Sequence, residues 1–114
     1  MSRREASVGT SLAVAAPVFA ALGDETRLQI VARLCADGPQ SIVRLSDGAG
    51  VTRQAITKHL EALADAGLVR GERQGRERIW ELETRRIDEA RRCLDLISQR
   101  WDERLERLRE YVEK

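Results

Sequence analysis

The chain has 114 residues, 42% of them apolar and 34% charged, with a formal net charge of +1. That size suits one domain with a modest core, and the composition excludes a disordered chain and a globally basic polyanion binder, so any basic patch must be local. The two cysteines, Cys35 and Cys93, form no CxxC pair, which excludes a zinc ribbon or a disulfide-dense scaffold and fits a reducing cytoplasm.

Residues 1–10 show no apolar period and are expected to form a flexible arm. Arg3 and Arg4 ahead of "SLAVAAPVFAALG" outline a secretion signal, but Glu5 spoils its basic region and Pro17 interrupts its apolar run. No run approaches the ~20 apolar residues of a membrane span, so no membrane partner is expected. A first helix is expected from about Leu12 to Leu22, with Pro17 tolerable only near its first turn. Gly23 ends it and Asp24 caps a second helix, whose buried face is read as Leu28, Val31, Leu34 and Cys35. Gly38-Pro39 ends that helix.

Ser41 is placed to cap a brief third helix in "SIVRLSD", with Ile42 and Leu45 inward, and Gly48-Ala49-Gly50 supplies a tight turn. Thr52 then caps a fourth helix, across which Val51 and Ile56 can form a hydrophobic staple. Gly67 closes it as a left-handed cap. "VRGERQGRERIWEL" reads as two strands around Gln74-Gly75, with Trp80 and Leu82 on one face. From about Thr84 to Glu113 one helix of ~45 Å follows, carrying Ile87, Leu94, Trp101 and Leu108 at strict seven-residue spacing. Ala90, Ile97, Leu105 and Val112 fill the adjoining seam. The expected fold is mainly α with a small β-hairpin, a winged helix-turn-helix in the order α-α-α-α-β-β-α. Its divisions are the arm at 1–10, a DNA-binding domain at 11–83, and a dimerisation helix at 84–114 packed on that domain.

The fourth helix carries the functional signal. On a wheel of ~100° per residue, Ile56, Leu60 and Leu63 make one buried stripe. Gln54, Thr57, Lys58, Glu61 and Asp65 fall on the far side, with Arg53 on the shoulder. Cationic and amide groups thus crowd the N-terminal end and acids the C-terminal end, which is backwards for the helix dipole. The order suits a helix whose N-terminal end enters a DNA groove. Gln54 can pair with adenine, Arg53 or Lys58 can read guanine, and Thr57 can meet a thymine methyl or a phosphate. The hairpin adds Arg70, Arg73, Arg76 and Arg78 against Glu72 and Glu77, with Arg76 at the turn, where it can reach a phosphate or a minor groove. Gln40 and Ser41 are candidate phosphate donors at the head of the third helix, and Ser41 serves equally as a plain cap. His59, the sole histidine, reads as a packed or flanking residue, since no second histidine, paired carboxylate or activated nucleophile accompanies it. Neither an enzyme nor a cofactor is expected.

In this order, "FAALGDETRLQIVARL", "TRQAITKHLEALADAGLV" and "GRERIWEL" resemble the ArsR/SmtB family of bacterial winged-helix repressors, over about residues 17–113. The resemblance implies a cytoplasmic homodimer that binds double-stranded DNA at an inverted-repeat operator and represses transcription. It places Thr52, Arg53, Gln54, Thr57 and Lys58 at recognition-helix contact positions, and Arg76 at the wing tip. It also implies that the first and last helices build the dimer interface, with Val18, Leu94, Ile97, Trp101, Leu105 and Leu108 as candidates.

The chain departs from the metal-responsive members, which carry a cysteine-rich motif where this sequence has "PQSIVRLSD". Ser41 and Val43 stand where thiolates would, and the terminal helix has Asp88, Glu89 and Asp95 but no histidine, so no metal is expected. The sequence best matches the metal-free branch with a tryptophan in the terminal helix. Two alternatives stay open: a thiol-responsive repressor using Cys35 and Cys93, and an adaptor whose heptad helix recruits another protein while the winged domain has little DNA affinity.

Overall fold

The computed structural model describes the backbone of residues 3–113 and the side chains of residues 12–113. Its elements are α1 (Arg3–Leu22), α2 (Glu25–Asp37), β1 (Gln40–Ser41), α3 (Ile42–Ser46), α4 (Arg53–Asp65), β2 (Val69–Gln74), β3 (Glu77–Leu82) and α5 (Thr84–Glu113). The antiparallel sheet has the order β1-β3-β2. The expected hairpin is therefore two strands of three. The strand β1 has only two residues, too few for any period in sequence to show.

The first helix corrects two expectations. It begins at Arg3 rather than near Leu12, so the flexible arm expected over residues 1–10 does not hold from Arg3 onward; Met1 and Ser2 lie outside the described residues. Arg4, Glu5 and Ala6 favour helix without an apolar period, so periodicity alone does not reveal this first stretch. Pro17 also lies well inside the helix, past the first turn. It removes one hydrogen bond to the carbonyl of Ala13, and since both residues are exposed, water can serve that carbonyl.

Caps set the remaining boundaries. The Asp24 side chain accepts from the Arg27 backbone N–H at 3.0 Å, Ser41 Oγ from Arg44 N–H at 3.3 Å, and Thr52 Oγ1 from Ala55 N–H at 3.1 Å. Each oxygen satisfies one of the donors a helix start leaves orphaned. At the far end of α4, Leu68 N–H bonds Leu63 C=O and Gly67 N–H bonds Ala64 C=O, both at 2.9 Å. Gly67 takes φ 77°, which completes a Schellman motif. Leu63 and Leu68 are both wholly buried, supplying its apolar contact.

The core gathers Val18 of α1, Ile30 and Leu34 of α2, Leu45 of α3, Ile56, Leu60 and Leu63 of α4, and Trp80 of β3. Burying each of the larger aliphatic side chains contributes roughly 1.5–3 kcal/mol. The buried face of α2 is Ile30 and Leu34, with Val31 half-buried, whereas Leu28 and Cys35 are exposed. The expected face omits Ile30 and is therefore centred too far round the helix. Helix α5 meets the core early, through Ala90 and Cys93, and every residue from Ile97 to Glu113 is exposed. The molecule is accordingly drawn out to 67 Å in its longest dimension. No described helix is long and apolar enough to cross a membrane.

Candidate nucleic-acid interface

Helices α3 and α4 are joined by a short turn in which Gly48 and Gly50 both adopt φ 72°, a conformation that disfavours any residue with a Cβ. The Ile56, Leu60 and Leu63 stripe seats α4 on the core with no measurable exposure. The opposite face presents Arg53, Gln54 and Lys58 at its N-terminal half and Glu61 and Asp65 at its C-terminal half, all exposed. Thr52 is exposed too, although its hydroxyl oxygen is engaged in capping. Thr57 is half-buried, and its Oγ1 donates to the Arg53 carbonyl at 2.8 Å. Its methyl group and a hydroxyl lone pair are what remain for a partner.

The hairpin turns through Gly75-Arg76, since Gln74 pairs with Glu77. Gly75 has φ 65° while Arg76 does not share a positive φ, as a type II′ turn requires. Arg76 is exposed at this tip. One rung back, Arg73 and Arg78 are directly opposed across β2 and β3. Like charges facing one another destabilise a sheet, and neither arginine has an ion-pair partner among the described residues. Arg78 lies with its guanidinium carbon 4.6 Å from the Trp80 ring centroid, a cation–π contact. Arg70 differs from these: Glu81 and Glu83 both pair with it, Glu83 at 3.3 Å. The charge-assisted bond to Glu81, then the two carboxylate charges, raise its pKa further.

Three sequence candidates fall elsewhere. Ser41 and Gln40 are buried, at 7% and 6% exposure, so neither is presented to a phosphate. Pairing of β1 with β3 is what covers them. Val18, expected in the dimer interface, is fully buried inside its own chain. The other interface candidates are all exposed: Leu94, Ile97, Trp101, Leu105 and Leu108, joined on α1 by Leu12 and Phe19. The two cysteines are free, Cys35 at the surface and Cys93 in the core where α5 meets α1. Among the described residues no cluster of three or more His, Cys, Asp or Glu side chains could hold a metal ion.

Sequence reasoning missed two arginines of α2. Arg27 Nε donates to the Ala21 carbonyl at 2.6 Å, tying down the end of α1. Arg33 donates to the carbonyls of Arg44 and Leu45 at 2.8 Å and to that of Asp47 at 3.3 Å, tying down the end of α3. The available signal was position, since each arginine flanks the Ile30 and Leu34 stripe rather than standing opposite it.

A short helix, a glycine turn and a core-seated helix with a polar outer face, followed by a hairpin, define a winged helix-turn-helix DNA-binding protein. A helix-turn-helix domain family matches residues 22–72. The chain is similar to the arsenical resistance operon repressor of Bacillus subtilis, 31% identical over 70 residues that cover 61% of this chain and 67% of that protein. An ArsR-like transcriptional regulator from a Rhodococcus species superposes with a TM-score of 0.77 at 40% identity, over 90% of this chain and 94% of that one. A possible ArsR-family regulator from Mycobacterium bovis, solved in solution as a homodimeric winged helix-turn-helix DNA-binding domain, gives 0.61 at 29% identity, over 94% and 93%. The chain belongs to the ArsR family of DNA-binding transcriptional regulators.

Proposed function

We propose that the protein is a cytoplasmic homodimeric repressor that binds an inverted-repeat operator, without a metal and without catalytic activity. The observation that carries the reading is the order of charge along α4. Arg53, Gln54 and Lys58 are exposed at its positive end, and Glu61 and Asp65 at its negative end. This arrangement works against the helix dipole, and a phosphate-lined groove at the N-terminal end offsets that cost. The opposed Arg73 and Arg78, with Arg76 beyond them, support the same reading, since phosphate oxygens relieve their mutual repulsion. Arg53, Gln54, Thr57 and Lys58 then read bases. Thr52, Arg73, Arg76 and Arg78 meet the backbone, and half-sites lie about one helical turn, ~34 Å, apart.

The dimer is the second part. Leu94, Ile97, Trp101, Leu105 and Leu108 form an exposed apolar seam too large for a solitary chain. A second copy related by a two-fold axis covers it and gives the operator its symmetry. Selection from a randomised duplex pool tests the reading. Wild type is expected to recover an inverted repeat, while Arg53→Ala and Gln54→Ala relax preference at one position per half-site, each by ~1–3 kcal/mol. Unchanged specificity in both variants overturns the assignment of the reading residues.

A further inference from the structure

Helix α3 has only five residues, too few to hold itself together. Its final carbonyls lack the full set of helical partners: those of Arg44 and Ser46 each accept one 3.3 Å bond, from Asp47 and Ala49 N–H, and that of Leu45 needs a partner from outside. Arg33 of α2 supplies one, donating from Nη2 to Arg44 C=O and from Nη1 to Leu45 and Asp47 C=O. No other side chain among the described residues bonds three backbone carbonyls, here two in α3 and one at its cap.

In the turn between α3 and α4, Asp47 N–H bonds Arg44 C=O and Ala49 N–H bonds Ser46 C=O, both at 3.3 Å, and Ala49 packs against the core. A Cβ built on Gly48 or Gly50 would meet nothing within 4 Å, so neither glycine of this turn is itself wedged against a neighbour. Leu45 and Ile56 bury against the core on either side of it, which fixes how close α3 and α4 lie to the core. Apolar burial is non-directional, however, and does not by itself set the orientation of either helix. A planar guanidinium with donors in a fixed fork does impose direction. We infer that Arg33 is a positioning residue for DNA reading: by fixing the end of α3, it sets through the glycine turn the angle at which α4 meets the groove. Base contacts tolerate errors of only about 0.5 Å and 10–20°, so a small tilt of α4 is enough to spoil them. Phosphate contacts through long, flexible side chains are more forgiving.

The inference rests on the proposed base-reading role of α4, and the experiment separates the two. Arg33→Met, Arg33→Lys and Leu34→Val are compared with wild type for thermal midpoint and for affinity at one salt concentration. The probes are the tightest duplex that wild type recovers from a randomised pool and poly(dI-dC). Leu34 is a buried neighbour on α2 that bonds nothing on α3, so its variant reports plain destabilisation. Arg33→Met is expected to lose about tenfold or more in the ratio of selected to poly(dI-dC) affinity, the scale of one lost base contact. Arg33→Lys keeps the charge but not the fork, and is expected to bind poly(dI-dC) as wild type does while the ratio stays depressed; it carries the test if the methionine variant does not fold. An unchanged ratio overturns the inference. So does an equal loss on both probes that lysine repairs, which would make Arg33 a phosphate contact. A matching loss in Leu34→Val would reduce its role to stability and overturns it as well. If wild type selects no sequence, the base-reading proposal falls and takes this inference with it.

Discussion

Gly71 of β2 stands directly opposite Trp80 of β3, and the indole lies across it. A Cβ at Gly71 would come within 3.1 Å of Trp80 Cζ3, 3.2 Å of Trp80 Cδ2 and 2.7 Å of Arg78 Nε. The arginine is the flexible end of an exposed side chain and can move aside. The indole is 1% exposed and packed in the core, so it cannot move without disturbing its neighbours. Gly71→Ala is therefore expected to lower stability by about 1–3 kcal/mol, the usual scale of overpacking. Thermal or urea unfolding measures it, and a variant as stable as wild type would show that the indole has room to shift.

The wing arginines should separate by role. Arg78 covers the Trp80 ring, so Arg78→Ala is expected to cost about 0.5–1 kcal/mol of stability as well as DNA affinity. Arg76, exposed at the tip, touches no such partner. Arg76→Ala should leave the unfolding midpoint unchanged, weaken all duplexes alike and reduce the salt dependence of binding by about one unit of slope per protomer. Titrations at several salt concentrations, alongside melting curves, distinguish the two. If Arg76→Ala leaves the slope alone, the wing tip does not reach phosphate.

Much of this architecture was legible because the chain marks its helix ends with residues of narrow use. Asp24, Ser41 and Thr52 are found as caps, and Gly67 takes the left-handed conformation its position suggested. The buried stripe of α4 was readable from spacing alone. What escaped reading depends on partners distant in sequence. Ser41 serves as a cap, but pairing with Ile79 also puts it in a sheet, and no two-residue strand announces itself. Val18 lies on a helix with small apolar residues on several sides, so its buried face is set by α5 rather than by its own period. The place of Arg33 beside the Ile30 and Leu34 stripe marks it out, but not its partners, which are backbone carbonyls that every sequence has.

Asp24 ties the fold to pH. The Arg27 backbone N–H it accepts is the main cause that holds its carboxyl below the usual value; partial burial opposes this, and the charges of His59 and Arg27 assist. A folded-state pKa below the unfolded one contributes stability that is fully present above the unfolded value, about 3.9, and lost as pH falls through the folded value. Asn caps a helix about as well but does not titrate. The stability difference between wild type and Asp24→Asn should therefore be constant near neutrality and shrink below about pH 4. Urea midpoints taken stepwise downward in pH measure it, and a gap that persists under acid rules this origin out.

Gly67 offers a backbone test of α4. At φ 77° a side chain is strained, and a Cβ there would also meet Arg86 Cγ at 2.9 Å. Gly67→Ala is expected to cost about 1 kcal/mol or more. Gly67→Asn, which tolerates the left-handed region better, should lose less of the backbone share of that cost. Equal losses in the two variants would assign the whole effect to crowding by Arg86.

The exposed stretch of α5 decides whether two copies are required. Trp101 is 60% exposed and Leu108 55%, and neither contributes to the core of its own chain. Replacing them should therefore leave the winged domain folded, unlike replacement of Ala90 or Cys93, which are packed inside it. Trp101→Asp with Leu108→Asp is expected to yield a monomer in sedimentation at concentrations where wild type is a dimer, because two charges per copy would be buried unpaired across the seam. Helical content should fall as well, since the end of α5 without a partner is near the marginal length for an isolated helix. Binding to the selected inverted repeat should drop steeply, while affinity for a single half-site changes little, because only the linkage between the two reading heads is lost. A double variant that stays dimeric would place the interface elsewhere and leave the α5 seam without a role in operator symmetry.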